Sequence, residues 1–262
     1  MKYKWNAEDY EKHSFSQKKW AKELINKLKL NGNESILDIG CGDGKISAEI
    51  AQNLPNGKVV AIDNSENMIN LACKNYPHTK YPNLNFKIMD ASDLNFFEEF
   101  DIVFSNAALH WIKDHNPVLQ GIYNALKHRG KAVVQMGGKG NALEVINVIN
   151  EITKFNPWKK FFEDFTFPYS FFSVDEYSSM LKLNNFKIIY IKIIPKIMVH
   201  ENIEYFKGWI RTTWLPYLNQ IPEHLQDKFI NLIAKNYSKN HLPDEKGRIL
   251  VKMKRLEFIA VK

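Results

Sequence analysis

Three glycines and three acids carry the first chemistry in this sequence. In ILDIGCGDGKIS, residues 36–47, Gly40, Gly42 and Gly44 fall at alternate positions, and Asp38 stands two residues ahead of them. Asp63 ends the apolar stretch KVVAID, nineteen positions beyond Gly44, and Asp90 ends NFKIMD. A turn stripped of Cβ atoms lets backbone approach a ligand closely. The spacing is not the G-x-G-x-x-G that seats a pyrophosphate. Gly44-Lys45 is followed by Ile46, where a phosphate loop needs Ser or Thr. A carboxylate at Asp38 suits a ligand with a cationic amine. An acid placed like Asp63, at the end of a second strand, can accept both hydroxyls of a ribose. Asp90 is placed to take an adenine amino hydrogen. Cys41, inside the turn, reads as a small packing residue.

These positions need strands to carry them. SILDI, KVVAID, NFKIMD, FDIVFSN and KAVVQM read as apolar strands. KISAEIAQNL, SENMINLACKNY (with Ser65 as N-cap) and PVLQGIYNALK read as the helices between them. That alternation implies right-handed crossovers and a parallel sheet covered on both faces, with ligands at the carboxyl ends of its strands. AEDYEKHSFSQKKWAKELINKLKL precedes them as a helix, with Trp20, Leu24 and Leu28 on one face.

After Met136 the rhythm changes. NALEVINVINEITKF and SVDEYSSMLKLNN read as helices, the second with Ser173 and Glu176 spaced as a capping box. The aromatic stretch NPWKKFFEDFTFPYSFF reads as irregular, and ENIEYFKGWI through KNYSKN as mainly helical. FKIIYIKII and RLEFIAVK read as a closing antiparallel edge pair. The expected fold is α/β: a Rossmann-like, doubly wound seven-stranded sheet, mostly parallel with an antiparallel C-terminal edge pair, plus a helical lid. One domain over 1–262 is expected. Its core covers about 30–136 plus strands near 186–199 and 250–262, and its lid pieces cover about 141–172 and 201–240.

Lys and Arg number 36 against 29 acids, a net charge of +7, which favours an acidic partner. No dense basic block or basic-aromatic stripe points to nucleic acid. The two cysteines, Cys41 and Cys73, form no C-x-x-C pair and fit a reducing compartment. The charged opening MKYKWNAEDYEK does not read as a signal peptide, and no apolar run reaches the roughly 20 residues of a membrane helix. A cytoplasmic protein is expected.

Taken as a set, the glycine turn and the three strand-end acids resemble a class I S-adenosylmethionine-dependent methyltransferase. The resemblance implies S-adenosyl-L-methionine as cofactor and S-adenosyl-L-homocysteine as product. It lays the methionine part against Asp38, Gly40, Cys41, Gly42 and Gly44. It gives the ribose to Asp63 and the adenine to Asp90 and Ala91, with Asn64 and Met68 as further cofactor-binding residues. Asn106 and Ala107 are further cofactor neighbours. WNAEDY, at the N-terminus, is expected to fold over the cofactor through Trp5 and Tyr10, with Tyr10 reaching its carboxylate.

A narrower resemblance spans nearly the whole chain. WNAEDY, FSNAALHWIKD, VVQM, WLPYLNQIPEHLQDKF and DEKGRILVKMKRLEFIAVK are similar to trans-aconitate methyltransferases. Pieces also resemble juvenile hormone acid and malonyl-carrier-protein methyltransferases. All three families esterify carboxylates, so a small-molecule acid is the expected substrate, with an acidic carrier protein as a second candidate partner. Where trans-aconitate enzymes commonly carry an arginine before the proline matched by Pro216, this chain has Leu215, and the nearest cation is Arg211.

A carboxylate is ionised at pH 7, since its reference pKa is about 4. It needs no general base, and the sequence offers no triad, carboxylate dyad or metal set. His110 and Trp111 are expected to wall the substrate pocket, with Trp209, Trp214 and Arg211 contributed by the lid. His200 and Glu201 are expected at the surface. The alternatives are an N-, O- or C-methyltransferase of another metabolite or of a carrier-bound acid, a nucleic-acid methyltransferase, and a non-catalytic cofactor-binding protein.

Overall fold

Neighbouring residues of the central strands are buried on opposite faces: Ile36 and Leu37, Ile102 and Val103, Val133 and Val134. Strands apolar on both sides demand helices on both sides, and the fold supplies them. The computed structural model describes residues 15–262. In chain order these are α1 (Phe15–Ile25), β1 (Ser35–Ile39), α2 (Lys45–Gln52), β2 (Lys58–Asp63), α3 (Glu66–Asn75), β3 (Leu84–Ile88) and β4 (Phe100–Asn106). Then come α4 (Asn116–Ala125), β5 (Leu126–Gly137), α5 (Leu143–Thr153), α6 (Val174–Leu183) and β6 (Lys187–His200). The chain closes with α7 (Ile203–Thr213), α8 (Leu215–Leu218), α9 (Glu223–Asn240) and β7 (Ile249–Val261).

The strands form one seven-stranded sheet in the order β3-β2-β1-β4-β5-β7-β6. The β1–β5 pairings are parallel. β7 runs antiparallel to β5 on one side and to β6 on the other. The Rossmann-like sheet with its reversed C-terminal pair is therefore the observed architecture. Local signals start the helices as their chemistry requires. Ser65 Oγ accepts from Met68 N–H, Ser173 and Glu176 form the capping box, and Asn202 accepts from the N–H groups of Glu204 and Tyr205.

β6 and β7 are longer than their sequence spans suggest. They stay paired beyond the rest of the sheet, from Ile194↔Arg255 to His200↔Ile249, while β5 ends at Gly137, the partner of Arg255. α5, α7, α8 and α9 bury Val145, Trp209, Tyr217 and Ile233 on this overhang, together with Met198, Val251 and Met253. His200 is consequently not at the surface. It shares the inward phase of Met198, is 5% exposed, and lies against the rings of Phe206 and Trp209. Glu201 is exposed. Among the described residues, no helix is long and apolar enough to cross a membrane.

Candidate functional site

The parallel sheet brings the carboxyl ends of β1, β2, β3 and β4 to one edge, and they open there into one cleft. Its wall includes Gly40 and Gly42 after β1, Asp63 and Asn64 with Met68 after β2, Asp90 and Ala91 after β3, and Asn106, Ala107 and Trp111 after β4. The N–H groups of Gly40 and Cys41 both donate to Ile62 O, at 2.8 and 2.9 Å, which pins the glycine turn to β2. Gly40 has φ +76°, and a Cβ there would lie 2.1 Å from Ala108 Cβ. At Gly42 a Cβ would meet nothing within 4 Å, so a side chain would project into open space beside the cleft.

Asp63 grips this turn from the second strand. Its Oδ2 accepts from Gly42 N–H at 3.0 Å and its Oδ1 from Ser65 N–H at 2.9 Å. Burial still pushes its pKa up. Each oxygen keeps a second lone pair for a ligand donor. Asp90 is exposed and braces its own loop, accepting from Ser92 N–H at 2.9 Å. Asn106 Oδ1 is buried and accepts no hydrogen bond from the described residues. Ala107 holds φ +58°, an uncommon conformation for a residue with a Cβ. Its N–H donates to Gln135 O at 2.8 Å.

Asp38, Cys41 and Gly44 stand behind this wall. Asp38 is 2% exposed and accepts from Ser47 Oγ at 2.6 Å. Cys41 is buried in the apolar cluster behind the turn. Gly44 is required for packing, because a Cβ there would lie 2.6 Å from the Phe86 ring and 2.9 Å from Ala72 Cβ. Trp5 and Tyr10 lie outside the described residues.

Burial pushes the Asp38 carboxyl up to about 7. Below pH 4 the group is protonated in folded and unfolded chains alike. As the pH rises to 7 the unfolded chain releases the proton first, so this group lowers stability progressively, by on the order of 2–4 kcal/mol above pH 7. Asp38→Asn keeps an acceptor for Ser47 and removes the charge. Urea melts of the cofactor-free protein should show the variant gaining on the parent between pH 4.5 and 7.5. A constant difference across that window would contradict the raised pKa.

A second cavity opens next to the first. Ala107 and Trp111 line both. The second is walled by His110, Trp209 and Trp214, as the sequence suggests, and by Trp20, Asn141, Tyr169, Phe171, Met198 and Met253. Tyr169 stacks on Phe171 with centroids 5.4 Å apart and meets Trp111 edge-on at 4.8 Å. The indole N–H groups of Trp209 and Trp214 are buried and make no hydrogen bond with the described residues.

Among the described residues, the cation lining this cavity is Arg255, not Arg211. Arg211 is exposed on α7, whose buried face carries Phe206, Trp209 and Ile210. Arg255 is 3% exposed, lines the cavity, and lies 5.6 Å from the centre of the Trp20 ring. A sequence signal for it existed. Ile249, Val251 and Met253 are the buried phase of β7, and Arg255 and Glu257 continue that phase. Glu257 is committed to Lys27, Tyr190 OH and Gln135 Nε2.

Burial, aided by the charge of Arg255, holds the His110 pKa well below its usual range, so the ring is neutral. Gly137 N–H donates to its Nδ1 at 3.4 Å, which leaves the ring proton on Nε2. Asn141 Oδ1 accepts from Lys254 N–H at 3.2 Å, leaving its NH2 as a donor. Arg255, His110, Asn141 and the two indoles thus make a cavity rich in donors, suited to a group that only accepts.

Comparison with known proteins agrees with this geometry. A family model described as a methyltransferase domain matches residues 30–185. Over 98% of its length the chain is 29% identical to an uncharacterized methyltransferase of Schizosaccharomyces pombe, covering 98% of that protein. Over 98% it is also 26% identical to a trans-aconitate 2-methyltransferase of Rhizobium etli, covering 99% of it. The fold is similar to that of phosphoethanolamine N-methyltransferase 2 of Haemonchus contortus solved with S-adenosyl-L-methionine. That match has a TM-score of 0.62 at 20% identity, over 98% of this chain and 56% of that one. With the family model spanning more than half its length, including the strands that build the cleft, the chain belongs to the methyltransferase-domain family and is an S-adenosylmethionine-dependent methyltransferase.

Proposed function

We propose that this enzyme methylates the carboxylate of a small acid to a methyl ester. The observation that carries the reading is buried Arg255 in a donor-rich cavity that shares Ala107 and Trp111 with the strand-end cleft. The cleft fits S-adenosylmethionine. Gly40 and Gly42 offer Cβ-free backbone to the methionine part, Asp63 and Asn64 the ribose site, and Asp90, Ala91 and Met68 the adenine site. The buried Asn106 Oδ1 supplies an acceptor that lacks a donor among the described residues. The helical layer over the overhang serves as the lid.

Bound S-adenosylmethionine supplies an electrophilic methyl on a positively charged sulfur. A lone pair of the acid's oxygen forms the O–CH3 bond while the electron pair of the broken C–S bond stays on sulfur. No proton moves. Two opposite charges become a neutral ester and a neutral thioether, so walls that exclude water favour the step. Arg255 orients the carboxylate through its planar fork of N–H donors. His110 acts as a donor through Nε2 and not as a base. Incubation with methyl-labelled cofactor and an acid panel should yield labelled methyl esters and S-adenosylhomocysteine. Methylation of amines or phenols with every acid inert would overturn the reading.

Asp63→Ala should weaken S-adenosylmethionine binding ten- to a hundredfold, about 1.5–3 kcal/mol for charge-assisted hydrogen bonds. Calorimetry giving an unchanged dissociation constant would remove Asp63 from the ribose site. Arg211→Met is expected to change kcat/KM by less than about 1 kcal/mol, as for an exposed charge. A larger loss would return the acid-binding role to α7.

A further inference from the structure

We propose that the acceptor acid carries a second, uncharged oxygen acceptor of the oxo type, and that the indole N–H groups of Trp209 and Trp214 select for it. This rests on the ester-forming reading of the site. The donors around the second cavity fall into two groups. In the first, Arg255 pairs with Gly137 where β5 ends, Gly137 N–H donates to His110 Nδ1, and Asn141 follows in the same loop. His110 stands between Ala107 and Trp111, the residues shared with the cofactor cleft, so this group meets the reacting carboxylate. The second group comes from the lid. Trp209 is on α7 and Trp214 directly follows that helix. Trp209 lies against His200, which pairs with Ile249 at the far end of the overhang. The Trp209 and Trp214 rings meet edge-on with centroids 5.7 Å apart. The two residues are 1% and 2% exposed, and neither indole N–H has a hydrogen-bond partner among the described residues. Tyr169 OH, on the same wall, is spent on Thr213 O at 2.7 Å. An indole N–H only donates. Left unpaired in a buried wall it is costly, and a site whose donors are met only by the substrate rejects an analogue that lacks the matching oxygen. The two oxygens of a carboxylate share one carbon, so a carboxylate held by the first group leaves the lid donors unmet. An oxo oxygen offers two lone pairs and carries no charge, which suits these neutral donors.

The test uses the full-length enzyme and two series matched in chain length: pentanoate, levulinate and glutarate, then hexanoate, 5-oxohexanoate and adipate. Release of S-adenosylhomocysteine at saturating S-adenosylmethionine gives kcat/KM. Calorimetry on the enzyme loaded with S-adenosylhomocysteine gives affinity whether or not turnover occurs. In at least one series the oxo acid should exceed both the plain acid and the diacid by about tenfold or more in either measure. Trp209→Phe and Trp214→Phe keep a ring and remove the donor. Each should shrink the ratio of oxo to plain acid, and the double variant should bring it within about threefold of unity. That ratio cancels any general loss of activity, and the comparison on the parent enzyme stands even where a variant fails to fold. Oxo and plain acids equal in both series, or a ratio unmoved in the double variant, would overturn the inference and leave ester formation standing. So would diacids that exceed the oxo acids, or a panel in which no acid binds at millimolar concentration. Methylation of an amine or phenol with no acid bound would overturn the ester-forming reading itself.

Discussion

Arg255→Met is expected to lower kcat/KM for the acceptor acid by roughly a hundredfold to a few thousandfold while leaving S-adenosylmethionine affinity unchanged. Removing one partner of a desolvated charge pair typically costs about 3–5 kcal/mol, because the other charge is left buried without compensation. Arg255 is 3% exposed and lines only the second cavity, so the loss should fall on the acid. Met roughly conserves the length of the apolar stem that packs beside Trp20. Steady-state kinetics with the acid varied, and calorimetry with the cofactor alone, separate the two effects. Equal loss in both measurements would mean that the substitution disturbs the fold and not the acid site.

Gly40→Ala is expected to cut S-adenosylmethionine affinity by about a hundredfold or more. Two costs add. A residue with a Cβ at φ +76° loses about 1–2 kcal/mol. The new Cβ would also sit 2.1 Å from Ala108 Cβ, so the turn or the segment after β4 must move, and overpacking of this kind costs about 1–3 kcal/mol. Both segments wall the cleft. The pair Gly40→Ala with Ala108→Gly removes the collision and keeps the backbone cost. It should therefore recover part of the affinity, and the cycle of single and double variants measures the clash alone. If the double variant bound no better than Gly40→Ala, steric collision would not be the cause.

The cleft was legible in the sequence because its residues need only local structure to converge. Gly40, Gly42, Asp63, Asp90 and Asn106 each sit at or just past the carboxyl end of a parallel strand. Such a sheet brings those ends to one edge whatever the details of packing. Local reading went too far only where burial decides. Asp38 and Gly44 have the right spacing, yet one is turned onto Ser47 and the other lies under Phe86.

The acceptor cavity is a different case. Its walls come from residues 20, 107–111, 141–142, 169–171, 198, 209–214 and 253–255, and no periodicity links them. Arg211 and Arg255 are both arginines in amphipathic elements with aromatic neighbours. The 3.6-residue period of α7 turns Arg211 outward from Phe206, Trp209 and Ile210, and the two-residue period of β7 turns Arg255 inward with Val251 and Met253. The sequence by itself determined the doubly wound sheet, the glycine turn and the acids at its edge, because those follow from strand and helix periods. Only the tertiary structure decided that the inward face of β7 at Arg255 borders an aromatic cavity. That location depends on β6 and β7 overrunning the sheet and on the helices packed against them, contacts between segments that no local period connects.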